Sequence, residues 1–173
     1  LSCGLRGVPL VLLRVLSVES MRLFAGEMAR VARGGDFFLL FGEMGVGKTE
    51  FARGFCERLG CGGEVRSPSF LVALEYAPPS GGLRVLHVDL FRVEGGELGL
   101  AFEEYEAEGW VVLVEWAERM SYAPSRGFAL RFSFGSAPEE RFLEVKPLGE
   151  DAARRWGSLA STSPVVEALR FGP

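Results

Sequence analysis

The chain has 173 residues, 48% hydrophobic and 24% charged, which suits one soluble globular domain, or one domain with a tail, whose core needs no staples. Its net charge of −4 and pI near 5.2 argue against a surface that grips nucleic acid unaided. No apolar stretch reaches membrane-spanning length, since Val8-Pro9-Leu10-Val11-Leu12-Leu13 stops at Arg14, and no signal-peptide cleavage pattern is visible.

A cytoplasmic protein is therefore expected. Cys3, Cys56 and Cys61 are odd in number and match neither a zinc nor a redox spacing, so free thiols in a reducing cytosol are the default. With His87 as the single histidine, a His-rich metal site or a Ser/His/Asp triad would rest on that residue alone.

In chain order, residues 10–16 read as a first strand. From Val18 to Arg33, Met21, Phe24, Met28 and Val31 recur at spacings of three and four, the mark of an amphipathic helix, ended by Gly34-Gly35. Phe37–Phe41 is an apolar strand. It runs into Gly42-Glu43-Met44-Gly45-Val46-Gly47-Lys48-Thr49, which fits G-x-x-x-x-G-K-[ST], and a helical pattern from Glu50 to Leu59 follows until Gly60.

That octapeptide predicts a nucleotide site. Glycines let backbone N–H groups converge on phosphate oxygens, Lys48 supplies a cation for the β and γ phosphates, Thr49 offers a hydroxyl to Mg²⁺, and the anion sits on a helix N-terminus. Composition supports this. Only two of the 19 basic residues are lysines and only two threonines occur, yet Lys48 and Thr49 stand side by side in the loop.

Beyond Cys61-Gly62-Gly63, Phe70–Tyr76 and Leu83–Asp89 flank Pro78-Pro79-Ser80-Gly81-Gly82 as two strands joined by a loop. An acidic helix is expected over Glu97–Glu108, ended by Gly109. Trp110–Val114 reads as a buried central strand. Phe128–Phe134 and Arg141–Lys146 form a closing hairpin, and a helix over Glu150–Leu159 precedes weaker structure after Pro164. The fold class is α/β, a P-loop NTPase-like mixed parallel and antiparallel sheet flanked by helices, with the phosphate site at the carboxyl edge.

A phosphate loop needs an acidic partner for Mg²⁺, and two acids end apolar strands: Asp89 after Leu83–Val88 and Glu115 after Val111–Val114. The alternatives are a turn or N-cap role for Asp89 and a solvated strand end for Glu115. Asp is rare here, three against 20 Glu, which singles out Asp89. Arg92 fits either γ-phosphate neutralisation or a surface salt bridge. Trp116 reads as core packing, and His87 as a packed or hydrogen-bonded histidine rather than a catalyst.

Taken together these residues resemble one family, the bacterial TsaE (YjeE) P-loop ATPases required for threonylcarbamoyladenosine in tRNAs that read codons beginning with A. The likeness lies in the succession Gly42–Thr49, Ser67-Pro68-Ser69-Phe70, His87-Val88-Asp89-Leu90-Phe91-Arg92 and Val112-Leu113-Val114-Glu115-Trp116-Ala117-Glu118. The resemblance implies an ATPase domain over 11–148, preceded by an extension over 1–10 and followed by a partly helical tail over 149–173. It implies binding of ATP or ADP with Mg²⁺ and slow hydrolysis stimulated by TsaD and TsaB, TsaD carrying out the carbamoyl transfer and tRNA being reached only through the complex.

On the family pattern the nucleotide is bound by Gly42, Glu43, Met44, Gly45, Val46, Gly47, Lys48, Thr49 and Ser69. Lys48, Asp89 and Glu115 are catalytic, and Thr49, Asp89 and Glu115 serve the metal. Ser69 would respond to the γ-phosphate as a switch segment does. The chain departs from the pattern at Glu43-Met44, where Asp-Leu is usual, at Glu50 and Ser69, where Thr is usual, and at Phe91, where Tyr is usual. A free-standing small-molecule kinase and a nucleotide-binding subunit without turnover are the competing readings; no guanine-specifying motif appears, and ATP rests on the resemblance.

Overall fold

The computed structural model describes residues 11–61, 66, 68, 72–93 and 99–172. Seven strands among these residues, β1 (Leu12–Val15), β2 (Phe37–Phe41), β3 (Ala73–Tyr76), β4 (Val85–Asp89), β5 (Val111–Glu115), β6 (Gly127–Phe134) and β7 (Arg141–Leu148), form one sheet. Their order is β1-β7-β6-β2-β5-β4-β3. The central strands β6, β2, β5 and β4 run parallel, and the flanking pairs β3/β4, β6/β7 and β1/β7 are antiparallel. This is the expected mixed α/β sheet.

Among the described residues five α-helices accompany it: α1 (Val18–Val31), α2 (Lys48–Arg58), α3 (Phe102–Ala107), α4 (Glu150–Thr162) and α5 (Pro164–Leu169). β4 and β5 are buried along their whole length because helices or turns cover both faces, which is why they read as near-continuous apolar runs. Alternation sorts their side chains. Val85, Val111 and Leu113 join Phe38 and Leu40 in a core shared with α1, α2 and α4, whereas Leu86, Val88, Val112 and Val114 pack with Phe102 and Ala117 on the other face.

Helix α1 starts where Ser17, in extended conformation, accepts a hydrogen bond from Ser20 N at 3.1 Å, a cap that contributes about 1 kcal/mol. Its buried face, Met21, Phe24, Ala25 and Met28, packs on α2, where Phe24 and Phe51 lie 6.0 Å apart. Gly54 is needed there, because a Cβ would fall 2.6 Å from Arg22 Cα. The edge of β1 is covered by the segment after α5: Phe171 N donates to Leu12 O, and Phe171 packs on Phe142.

Several expected boundaries moved, three of them with a clear local cause. The acidic helix is shorter than Glu97–Glu108, starting at Phe102 after Gly99 turns left-handed (φ 62°), and residues 94–98 lie outside the described set. β3 begins only at Ala73, following Val72 in a left-handed conformation (φ 67°). Helix α4 runs to Thr162 rather than Leu159, and the weaker structure expected after Pro164 is instead a regular short helix: Ser163 caps α5, with Pro164 at its first position, where a missing N–H costs nothing.

Candidate functional site

Because β2, β4 and β5 are parallel neighbours, their carboxyl ends converge on one edge of the sheet. The register pairs Leu40 with Glu115 and Asp89 with Glu115, so the acids ending β4 and β5 stand beside the loop leaving β2. Both carboxylates are 3% exposed and lie on the face that α2 covers.

The loop itself depends on glycine at two points. Gly42 has φ 142°, and a Cβ there would come 2.6 Å from Phe132 O; Gly47, at φ 114°, caps α2 in a left-handed conformation. Val46 is buried and pins the loop to the core, while Arg141 Nε donates to Val46 O at 3.2 Å. Glu43, Met44 and Gly45 are exposed.

Lys48 opens α2 and is almost wholly buried. Its Nζ donates to Gly42 O at 2.5 Å and to Glu43 O at 2.8 Å, and lies 4.2 Å from the centre of the Trp116 ring. Burial lowers its pKa, against the opposing pull of Glu115, Glu118 and Asp89. Thr49 Oγ1 donates to Glu115 at 3.0 Å (Oε1) and 3.2 Å (Oε2). Asp89 Oδ1 accepts from Phe91 N at 2.8 Å, and its own N–H is bound to Val72 O.

A cavity of about 350 Å³ opens between these groups, lined by Met44, Gly45, Gly47, Lys48, Thr49, Glu50, Asp89, Phe91, Glu115 and Trp116. Of the sequence-derived site residues, Met44, Gly45, Gly47, Lys48, Thr49, Asp89 and Glu115 all line this cavity. Gly42, Glu43 and Val46 shape the loop without lining the cavity, Arg92 is exposed and does not line it, and Ser69 lies outside the described residues.

Two participants were not legible beforehand. Trp116 follows Glu115 with φ 58°, a left-handed conformation that a bulky residue adopts only where its surroundings enforce it; its ring packs against the core beside β4 and β5, as expected, and also lies under Lys48, which was not. Arg119 stacks over both Phe91 and Trp116 and donates to Phe91 O. His87, on the same face of β4 as Asp89, bonds Glu115 Oε1 through Nε2 at 2.9 Å. The i, i+2 spacing of His87 and Asp89 was the available signal. Among the described residues no group of three or more His, Cys, Asp or Glu converges to hold a metal unaided, and no helix is long and apolar enough to cross a membrane.

A strand, glycine loop and helix at the carboxyl edge of a mixed sheet define a P-loop NTPase-like α/β protein. The family model described as "Threonylcarbamoyl adenosine biosynthesis protein TsaE" matches residues 15–141. The chain belongs to the TsaE family. It is 33% identical over 144 residues to the tRNA threonylcarbamoyladenosine biosynthesis protein TsaE of Streptomyces coelicolor, covering 80% of this chain and 95% of that protein. The protein of the same name from Bacillus subtilis is 38% identical over 104 residues, covering 60% of this chain and 65% of its own length. The crystal structure of Bacillus subtilis YdiB superimposes with a TM-score of 0.73 at 28% identity, over 90% of this chain and 97% of that one.

Proposed function

We propose that the protein is a Mg²⁺-dependent ATP-binding protein whose slow, partner-stimulated ATPase activity supports threonylcarbamoyl transfer to adenosine 37 of tRNA by a TsaB–TsaD complex. The observation that carries the reading is the meeting of Lys48 and Thr49, from the loop after β2, with Asp89 and Glu115, from the ends of β4 and β5, around one cavity.

The donor set fits a magnesium nucleotide. Thr49, Asp89 and Glu115 offer only oxygen, as magnesium prefers, and phosphate oxygens and water would complete the coordination. When bound, the metal supplies neutralisation of charge between the β and γ phosphates. Lys48 supplies fixed positive charge from a buried position, where it acts most strongly on phosphate. Glu115 and Asp89 would orient the metal and the attacking water, and the N-terminus of α2 directs backbone N–H groups at the anion. With a net charge of −4, the chain reaches tRNA through its partners rather than by its own surface.

The test is ATP hydrolysis by the purified protein alone and with TsaB and TsaD of the same organism, alongside threonylcarbamoyladenosine formation on unmodified tRNA. Partner-stimulated turnover with repeated rounds of modification is expected. Robust, partner-independent phosphate transfer to a small acceptor would overturn it.

A further inference from the structure

His87 lies two residues before Asp89 on β4, with no exposed surface. Its Nε2 is 2.9 Å from Glu115 Oε1, and because a carboxylate only accepts, Nε2 carries the proton. The same Oε1 also accepts from Thr49 at 3.0 Å, so Oε2, with only the longer Thr49 contact at 3.2 Å, is the less engaged oxygen. The other ring nitrogen, Nδ1, is buried and has no hydrogen-bond partner among the described residues. A histidine retained for packing alone gains nothing from leaving a ring nitrogen bare in the interior, where an unmet polar atom is a net cost. The imidazole lies against Tyr76, with ring centres 6.4 Å apart, which limits its freedom to turn away.

We propose that His87 is a positioning residue: its Nε2–H holds the Glu115 carboxylate by Oε1 and so presents Oε2 to the metal or water of the hydrolytic site. Histidine thereby acts on turnover without touching nucleotide, much as partners behind a metal ligand fix its orientation. The inference rests on the ATPase reading above.

Three substitutions separate positioning from packing. His87→Leu keeps an apolar body of similar size without a donor, His87→Gln can place an amide N–H near the Nε2 position, and His87→Asn is too short to do so. In the TsaB–TsaD-stimulated assay, kcat of His87→Leu is expected to fall by about 10- to 100-fold. Nucleotide affinity, read by direct titration, should stay within about 3-fold of wild type, because the loop and Lys48 are untouched. His87→Gln should recover most of the loss and His87→Asn should not, and adding His87→Leu to Glu115→Ala should cost no more than Glu115→Ala alone.

Wild-type turnover in His87→Leu overturns the proposal, as does a parallel fall of affinity and kcat that His87→Gln fails to rescue. Should His87→Leu not fold, the Gln and Asn variants carry the comparison, and equal turnover in the two overturns it. A wild-type protein that hydrolyses no ATP with its partners overturns the ATPase reading and this inference with it.

Discussion

The Thr49 hydroxyl donates to both oxygens of the Glu115 carboxylate, at 3.0 and 3.2 Å, bridging the first turn of α2 to the end of β5. The two groups proposed to share a magnesium ion are therefore already in contact, each on a rigid element. A site built in this way needs little rearrangement of backbone to accept a metal nucleotide, which favours pre-organisation over assembly on binding.

Glu115→Ala and Asp89→Ala should each lower stimulated turnover by about 10²-fold or more, the range for loss of a positioned acid or base. Nucleotide affinity should change far less, since Lys48 and the loop carry most of the phosphate contact. Single-turnover hydrolysis and direct nucleotide titration check the split. Folded variants with unchanged turnover would remove either residue from the site.

Lys48→Ala should abolish nucleotide binding, because the phosphates lose a fixed cation in a buried position. A pH effect accompanies this. Burial holds the free-protein Lys48 pKa below its ordinary 10.5, and bound phosphate would raise it again. Binding is thus coupled to proton uptake on the alkaline side: affinity should be flat near neutrality and decline as pH rises through the lowered value. Calorimetry in buffers of different ionisation enthalpy reads the uptake, and its absence at alkaline pH would contradict the assignment.

Period and punctuation in the sequence marked most of the fold. Met21, Phe24 and Met28 gave α1 its face, Phe37–Phe41 and the glycine loop placed β2 against α2, and the apolar run before Glu115 marked a strand buried on both sides. The register bringing Asp89 opposite Glu115 was not legible, since strand order is a tertiary choice that no local pattern encodes. The left-handed Trp116 escaped for a related reason. Its conformation follows from the turn after β5 and from Arg119 and Phe91 packed around it, not from any intrinsic preference of tryptophan. Likewise the helical pattern at Glu150–Leu159 was visible, while the partner of Arg155, 119 residues away, was not.

Acid should weaken the protein through Glu140, whose carboxylate accepts from Arg14 Nε at 2.5 Å and from Ser136 N and Oγ at 2.7 and 2.9 Å. The Arg14 bond foremost, then those from Ser136, holds its pKa down to about 2, against an ordinary 4.5. A carboxylate whose folded pKa is depressed contributes stability above the unfolded value and loses it as pH falls through the folded one. The difference in melting temperature between wild type and Glu140→Gln should therefore be constant above about pH 5 and shrink between about pH 4.5 and 2. A difference independent of pH would assign the effect to packing.

Arg155 of α4 grips Asp36, at the foot of β2, with bonds of 2.7 and 3.1 Å, and both side chains are buried, Asp36 completely. Arg33 N also donates to Asp36, at 2.8 Å, and Arg126 Nε stands 3.5 Å away. Removing one member of such a pair strands a charge in the interior, so Arg155→Met should cost about 3–5 kcal/mol, toward the lower figure because Arg33 N and Arg126 remain. Asp36→Asn in the Arg155→Met background should recover part of the loss, since the stranded charge is gone. Nucleotide affinity below the unfolding transition should be unaffected, because the lock sits at the start of β2 and the phosphate loop leaves its other end. Urea titrations of the single and double variants decide the matter: a loss below about 1 kcal/mol would place the pair with ordinary surface contacts and leave the docking of α4 to the buried Trp156.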